Sequence, residues 1–197
     1  MKLLKTLVGC ITAFCLASTA IAQSEDETED QPPLSSATFE AFSLRSIGPA
    51  FMSGRIADIE IMQDDPATWY IAVGSGGVWK TENAGTTWTS LFDGQGSYSI
   101  GSLALDPSDP NRIWVGTGEN TGSRHLAYGD GIYLSKDGGK TWENRGLEFS
   151  NQLSTIIVHP EDPNTVWVAA QGPLWSPGGQ RGVYKTSDGG ETWENVL

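Results

Sequence analysis

Three octets decide how this chain reads: TENAGTTW at Thr81–Trp88, SKDGGKTW at Ser135–Trp142 and TSDGGETW at Thr186–Trp193. They align without gaps on [ST]-x-[DN]-x-G-x-T-W, spaced 54 and then 51 residues apart. Working outward, each octet follows a short apolar run opened by glycine: Gly77-Val78-Trp79, Gly131-Ile132-Tyr133 and Gly182-Val183-Tyr184. Further upstream lie Trp69–Val73, Ile113–Val115 and Val166–Val168, then turns rich in Asp and Pro, then the apolar runs Ile56–Ile61, Ile100–Leu105 and Leu153–Val158. Each unit therefore holds four short strands with turn chemistry between them. A period near 50 residues with four strands per unit predicts β-propeller blades. The fold class is all-β, with about three blades of four-stranded antiparallel sheet forming an incomplete ring.

Within each octet the residues have local jobs. Asn83, Asp137 and Asp188 are placed to accept backbone N–H bonds in an Asx-type turn. Gly85, Gly139 and Gly190 supply the positive φ of a tight hairpin. Trp88, Trp142 and Trp193 open the returning strand as large apolar anchors, worth more to stability than the Asx bond.

The octet resembles the Asp-box, or bacterial neuraminidase repeat, of sialidases, Asp-box xyloglucanases and the sortilin ectodomain. Ser46–Ile56 (SIGPAFMSGRI) and Gly74–Thr81 (GSGGVWKT) are more similar still to large secreted bacterial proteins labelled sortilin-like or glycosyl hydrolase. The resemblance covers about residues 43–197 and implies that the octets are structural and lie away from the ligand face. In the xyloglucanases a catalytic Asp precedes the Gly-Gly of the first blade; here Val73-Gly74-Ser75-Gly76-Gly77 puts Gly74 at that place. Arg55-Ile56 resembles the start of the sialidase Arg-Ile-Pro, but Ala57 replaces the proline. Neither family's catalytic set is complete, so the catalytic residues are unknown. Phosphate loops, zinc motifs and a nucleophile elbow are absent, and no cofactor or metal is expected.

Composition agrees with many short strands: 197 residues contain 24 glycines and eight tryptophans, with only 18% charged. A formal charge of −12 argues against nucleic acid, which requires clustered Lys and Arg. Lys2 and Lys5, the apolar Leu7–Leu16 and Ala20-Ile21-Ala22 read as a signal peptide over 1–22, implying a periplasmic or extracellular protein with no membrane span. Too little apolar chain precedes Cys10 for a lipid anchor. Cys10 and Cys15 leave with that peptide, so no disulfide is expected in the mature chain. Five acids in Glu25–Asp30 and Pro32-Pro33 make 23–38 an acidic tether. A lead-in segment (39–54) and blades at 55–92, 93–145 and 146–197 complete the division. The third blade is cut short within its last strand, which suggests the N-terminal part of a longer protein, or a protomer that closes its ring by oligomerising.

Strand order places the ligand face. The first and third turns of a four-stranded blade share one end, and the second loops share the other. The second loops vary most: Gly74–Gly76 is minimal, while Thr117–Asp130 and Gln171–Arg181 are long. Variable loops over a constant scaffold are where propellers host function. The ligand-binding candidates are Arg55, Glu119, Arg124, His125, Trp175 and Arg181. Arg55 either forks an anionic ligand or pairs with a structural carboxylate. Glu119 reads as an exposed loop glutamate, or as an acid–base group if desolvated. His125 has no ligand cluster around it, and His159 occupies a turn slot that holds Asp elsewhere. Trp175, between Pro173 and Pro177, suits a sugar-stacking platform. Two functions follow: a glycan-, peptide- or protein-binding propeller, or a glycoside hydrolase on the same scaffold.

Overall fold

A computed structural model describes residues 55–122 and 126–197. The expected signal peptide, tether and lead-in, together with Arg124 and His125, lie outside the described residues. Among the described residues, twelve strands form three four-stranded antiparallel meanders. The first contains β1 (Ile56–Ile61), β2 (Trp69–Val73), β3 (Gly77–Thr81) and β4 (Thr89–Ser90). The second contains β5 (Ile100–Asp106), β6 (Asp109–Thr117), β7 (Ile132–Ser135) and β8 (Glu143–Asn144). The third contains β9 (Leu153–Val158), β10 (Val166–Ala170), β11 (Gly182–Thr186) and β12 (Glu194–Asn195). A 3-10 turn, Glu148–Ser150, precedes β9. Among the described residues no helix is long and apolar enough to cross a membrane.

The sheets stack face to face, and alternation along the middle strands builds the core. Ile113 and Val115 of β6 join Tyr70, Ala72 and Val78 of the first sheet in one buried cluster. Trp114, between them, points the other way and packs with Ile156, Val158, Val166 and Val168 of the third sheet. A strand buried on both faces reads as a continuous apolar run rather than an alternating one, as Ile113–Val115 does. Trp114 is the largest fully buried side chain, and its burial is worth about 4–6 kcal/mol at most. The opening strands of the sheets lie side by side, with β5 packed against both β1 and β9, as in propeller blades around an axis.

At one end, which we call the turn end, each octet hairpin is tied to the start of the second strand of its own sheet or to the turn just before it. The backbone bonds are Ala84 N to Ala67 O at 2.9 Å, Gly138 N to Asn111 O at 2.9 Å and Gly189 N to Asn164 O at 3.0 Å. Inside the octets the hydroxyls of Thr81, Ser135 and Thr186 accept from the amides of Gly85, Gly139 and Gly190, which all have φ between 86° and 89°. The side-chain oxygens of Asn83, Asp137 and Asp188 accept from the amides of Thr87, Thr141 and Thr192 at 2.8, 2.9 and 3.0 Å. His159 acts in the same manner in its turn, its Nδ1 accepting from the amides of Glu161 and Asp162. The Asp106–Pro110 segment is tighter than its sequence suggests: Asp106 pairs with Asp109, leaving only Pro107 and Ser108 to turn.

Candidate functional site

The opposite, loop end gathers the β2–β3, β6–β7 and β10–β11 loops and the connections that enter β1, β5 and β9. One backbone bond recurs there in all three sheets. Gly74 N donates to Arg55 O at 2.9 Å, Gly118 N to Ser99 O at 2.7 Å, and Gln171 N to Gln152 O at 2.9 Å. Arg55, Ser99 and Gln152 therefore hold equivalent positions at the heads of the three opening strands, and Ser75, Glu119 and Gly172 follow the equivalent amides. Sequence alone did not align these residues, because they share no residue type.

Two of these positions meet across the first and second sheets. Glu119 crosses to the first sheet, where Arg55 Nη1 donates to its Oε2 and Ser75 Oγ donates to its Oε1 at 2.9 Å. Arg55 Nη2 also donates to Asn120 Oδ1 at 3.0 Å, while Asn120 Nδ2 donates to Gly101 O at 2.6 Å. From the third sheet, Gln171 Nε2 reaches Asn120 O at 3.4 Å. The expected exposed loop glutamate is thus a correction: Glu119 is 6% exposed. It is buried because Gly74 has no side chain. A Cβ on Gly74 would stand 3.2 Å from Glu119 Cδ, so the neighbouring carboxylate fills the space a residue-74 side chain would enter.

Arg55 and Glu119 form an ion pair with unequal exposure, the guanidinium side chain at 38% and the carboxylate at 8%. Removing the arginine leaves a desolvated carboxylate with only Ser75 to satisfy it, a costly state. The centre combines a carboxylate, an amide, a hydroxyl and a guanidinium, a set suited to hydroxyl-rich ligands that both donate and accept.

The other candidates divide. Arg181 does not face a ligand: its guanidinium donates to the carbonyls of Gln171, Pro173, Ser176 and Gly178, all within its own loop. The loop is shaped around that side chain, with Gly172 at φ 71° and Gly178 at φ 85°. Trp175 sits on this loop, 68% exposed. Asn120 and Ser75 join Arg55 and Glu119 but carried no sequence motif; only the strand register could have found them. Among the described residues, no group of three or more His, Cys, Asp or Glu is placed to hold a metal ion.

The family model described as sortilin, neurotensin receptor 3, matches residues 56–197, which spans all three sheets. The chain belongs to the Sortilin-Vps10 family. This Sortilin-Vps10 chain is also similar to a xyloglucanase of Paenibacillus sp, 25% identical over 207 residues, covering 98% of this chain and 19% of the relative. A probable oligoxyloglucan-reducing end-specific xyloglucanase of Neosartorya fischeri is 30% identical over 103 residues, covering 48% of this chain and 11% of that protein. Among solved structures, an ancestral GH74 enzyme superposes with a TM-score of 0.55 at 18% identity, over 73% of this chain and 18% of its own. YCF48 from Cyanidioschyzon merolae superposes at 0.50 and 19% identity, over 76% of this chain and 39% of its own. These superpositions show the propeller fold. The chain spans about a fifth of the length of the Paenibacillus relative.

Proposed function

We propose that this chain is a β-propeller segment that binds a carbohydrate at its loop end, exported under the signal peptide read over 1–22. The observation that carries the reading is the desolvated Glu119 carboxylate, held by Arg55 and Ser75 beside Asn120, at the end where the loops vary. Planar polar side chains fixed by their neighbours recognise sugar hydroxyls at low cost in conformational entropy. Trp175, on its loop pinned by Arg181, adds a stacking surface. The names of the xyloglucanase relatives support a glycan over a peptide.

Hydrolysis is the second reading, favoured by the same relatives. It requires two carboxyl groups about 5–5.5 Å apart for retention or 6.5–9.5 Å for inversion. Glu119 is engaged by Arg55 and Ser75. As an ion-paired carboxylate it fixes the centre and is not free to take or give a proton, and this supports binding over bond cleavage. Calorimetric titration against a glycan panel, run beside a reducing-sugar assay, separates the two. Saturable binding that is lost in Glu119→Gln, without sugar release, is the expected result. Release of reducing ends would favour hydrolysis, and no binding to any glycan would overturn both readings.

A further inference from the structure

The two charged groups of the loop-end centre differ in how far they reach solvent. Glu119 has 8% of its side chain exposed, and both of its carboxylate oxygens are engaged, Oε2 by Arg55 Nη1 and Oε1 by Ser75 Oγ. Arg55 keeps 38% of its side chain exposed. Among the described residues its guanidinium bonds to Glu119 through Nη1 and to Asn120 through Nη2, which leaves three of its five N–H groups for a ligand. A ligand at the loop end therefore meets the arginine, with the carboxylate as its buried counter-ion.

Asn120 sets how that guanidinium lies. Its side-chain amide can sit in only one sense. Oδ1 accepts from Arg55 Nη2 at 3.0 Å, a group that only donates, and Nδ2 donates to Gly101 O at 2.6 Å, a group that only accepts. Gly101 is itself a fixed point: a Cβ there would stand 2.2 Å from the carbonyl oxygens of both Gly118 and Leu153, so main chain of the second and third sheets closes on it. From the third sheet, Gln171 Nε2 donates to Asn120 O at 3.4 Å. Asn120 is thus tied to all three sheets, and it holds one arm of a guanidinium whose other arm is held by Glu119. An arginine gripped at both Nη atoms has little freedom left to lose when a ligand docks on it.

We infer that Arg55 is the residue of this centre that contacts the ligand, offering N–H donors to its oxygen acceptors, and that Asn120 is a positioning residue that fixes the direction of those donors. This rests on the carbohydrate reading above and assigns roles within it. Asn120 acts through Arg55, so removing either should disturb the same contact.

NMR of nitrogen-labelled arginine side chains in the full chain tests the positioning without any ligand. Held by different acceptors, the two Nη groups of Arg55 should give separate signals, and these should merge in Asn120→Ala. Calorimetry with the tightest-binding glycan of the panel tests the contact. Asn120→Ala should lower affinity about three- to tenfold, the worth of one hydrogen bond. Arg55→Lys should lower it at least as far, since an ammonium lacks the fork. The double variant should lose no more than Arg55→Lys alone, because the two residues act on one contact. That glycan should also shift the Arg55 signals of the unmodified chain. Circular dichroism checks the fold of each variant, and the spectra of the unmodified chain decide the matter if Asn120→Ala does not fold. A merged Nη signal in the unmodified chain, signals that stay separate in Asn120→Ala, or additive losses in the double variant would overturn the positioning role. Arg55 signals unmoved by saturating glycan would overturn the contact while leaving the carbohydrate reading standing. Failure of every glycan to bind would overturn the contact and the carbohydrate reading together, with the ligand-free spectra still deciding the role of Asn120.

Discussion

The indole Nε1 of Trp142 donates to the main-chain carbonyl of Leu91 at 2.8 Å, reaching from the second sheet to the strand end of the first. Trp193 repeats the bond one sheet later, donating to Arg145 O at 2.7 Å. Leu91 and Arg145 each lie three residues beyond the preceding octet tryptophan, so these octets fasten one sheet to the next. Trp88 instead donates to Gly85 O in its own hairpin at 3.1 Å.

This bond separates two contributions of Trp142. Its ring also meets Phe92 edge to face at 5.0 Å. Trp142→Phe keeps an aromatic ring but loses the donor, and should cost about 1 kcal/mol. Trp142→Ala loses both and should cost about 3 kcal/mol, near the low end for aromatic truncation because the ring is half-buried. Urea unfolding followed by circular dichroism gives the two values; equal losses would sink the division.

Acid should loosen the octets unequally. Asp137 is held down to about 2, first by the Thr141 hydroxyl and then by its amide. Asp188 is lowered by the hydroxyls of Thr186 and Thr192. A carboxyl depressed in the folded state stabilises it above the unfolded pKa, near 3.8, and that stabilisation is lost as pH falls through the folded value. The window for the second octet is therefore about pH 4 down to pH 2. Asn83 does not titrate, so the first octet should not respond. Amide protection factors, taken relative to the intrinsic exchange rate at each pH, should fall from pH 5 to pH 2.5 at 139–142 and not at 85–88; uniform change across both would refute this.

Gly74 is the position that Glu119 depends on. Gly74→Asp would crowd the Glu119 carboxylate with a second negative charge from a Cβ 3.2 Å from its Cδ. Glycan affinity should fall by more than tenfold, and Gly74→Ala should lose less, since it adds bulk without charge. Unchanged affinity in Gly74→Asp would show that the ligand does not use this centre.

Arg181 should matter through Trp175 rather than through the ligand. Arg181→Lys retains the charge but cannot serve four carbonyls with one ammonium. Amide exchange across 172–181 should accelerate, and glycan affinity should fall about as far as in Trp175→Ala. An Arg181→Lys variant with intact affinity would mean that the loop keeps its shape without the guanidinium.

The local elements were legible because they depend on near neighbours. The octet spacing, the glycines at 85, 139 and 190, and the flanking apolar runs determine hairpins whose bonds close within five residues, and three such units in register specify the blades. Arg55 and Trp175 also stood out, as a guanidinium at a strand head and an indole between prolines. The company these residues keep was decided by tertiary structure alone. Glu119 looks like any loop glutamate until the second sheet packs on the first and carries it into the space beside Gly74, 45 residues away in the chain. Arg181 looked available to a ligand until the loop closed on it. Trp142 read as an anchor of its own hairpin, yet its donor is satisfied by a different sheet. A repeat pattern encodes what each unit buries, whereas the partners of its polar groups depend on how neighbouring units are stacked, and that stacking is long-range.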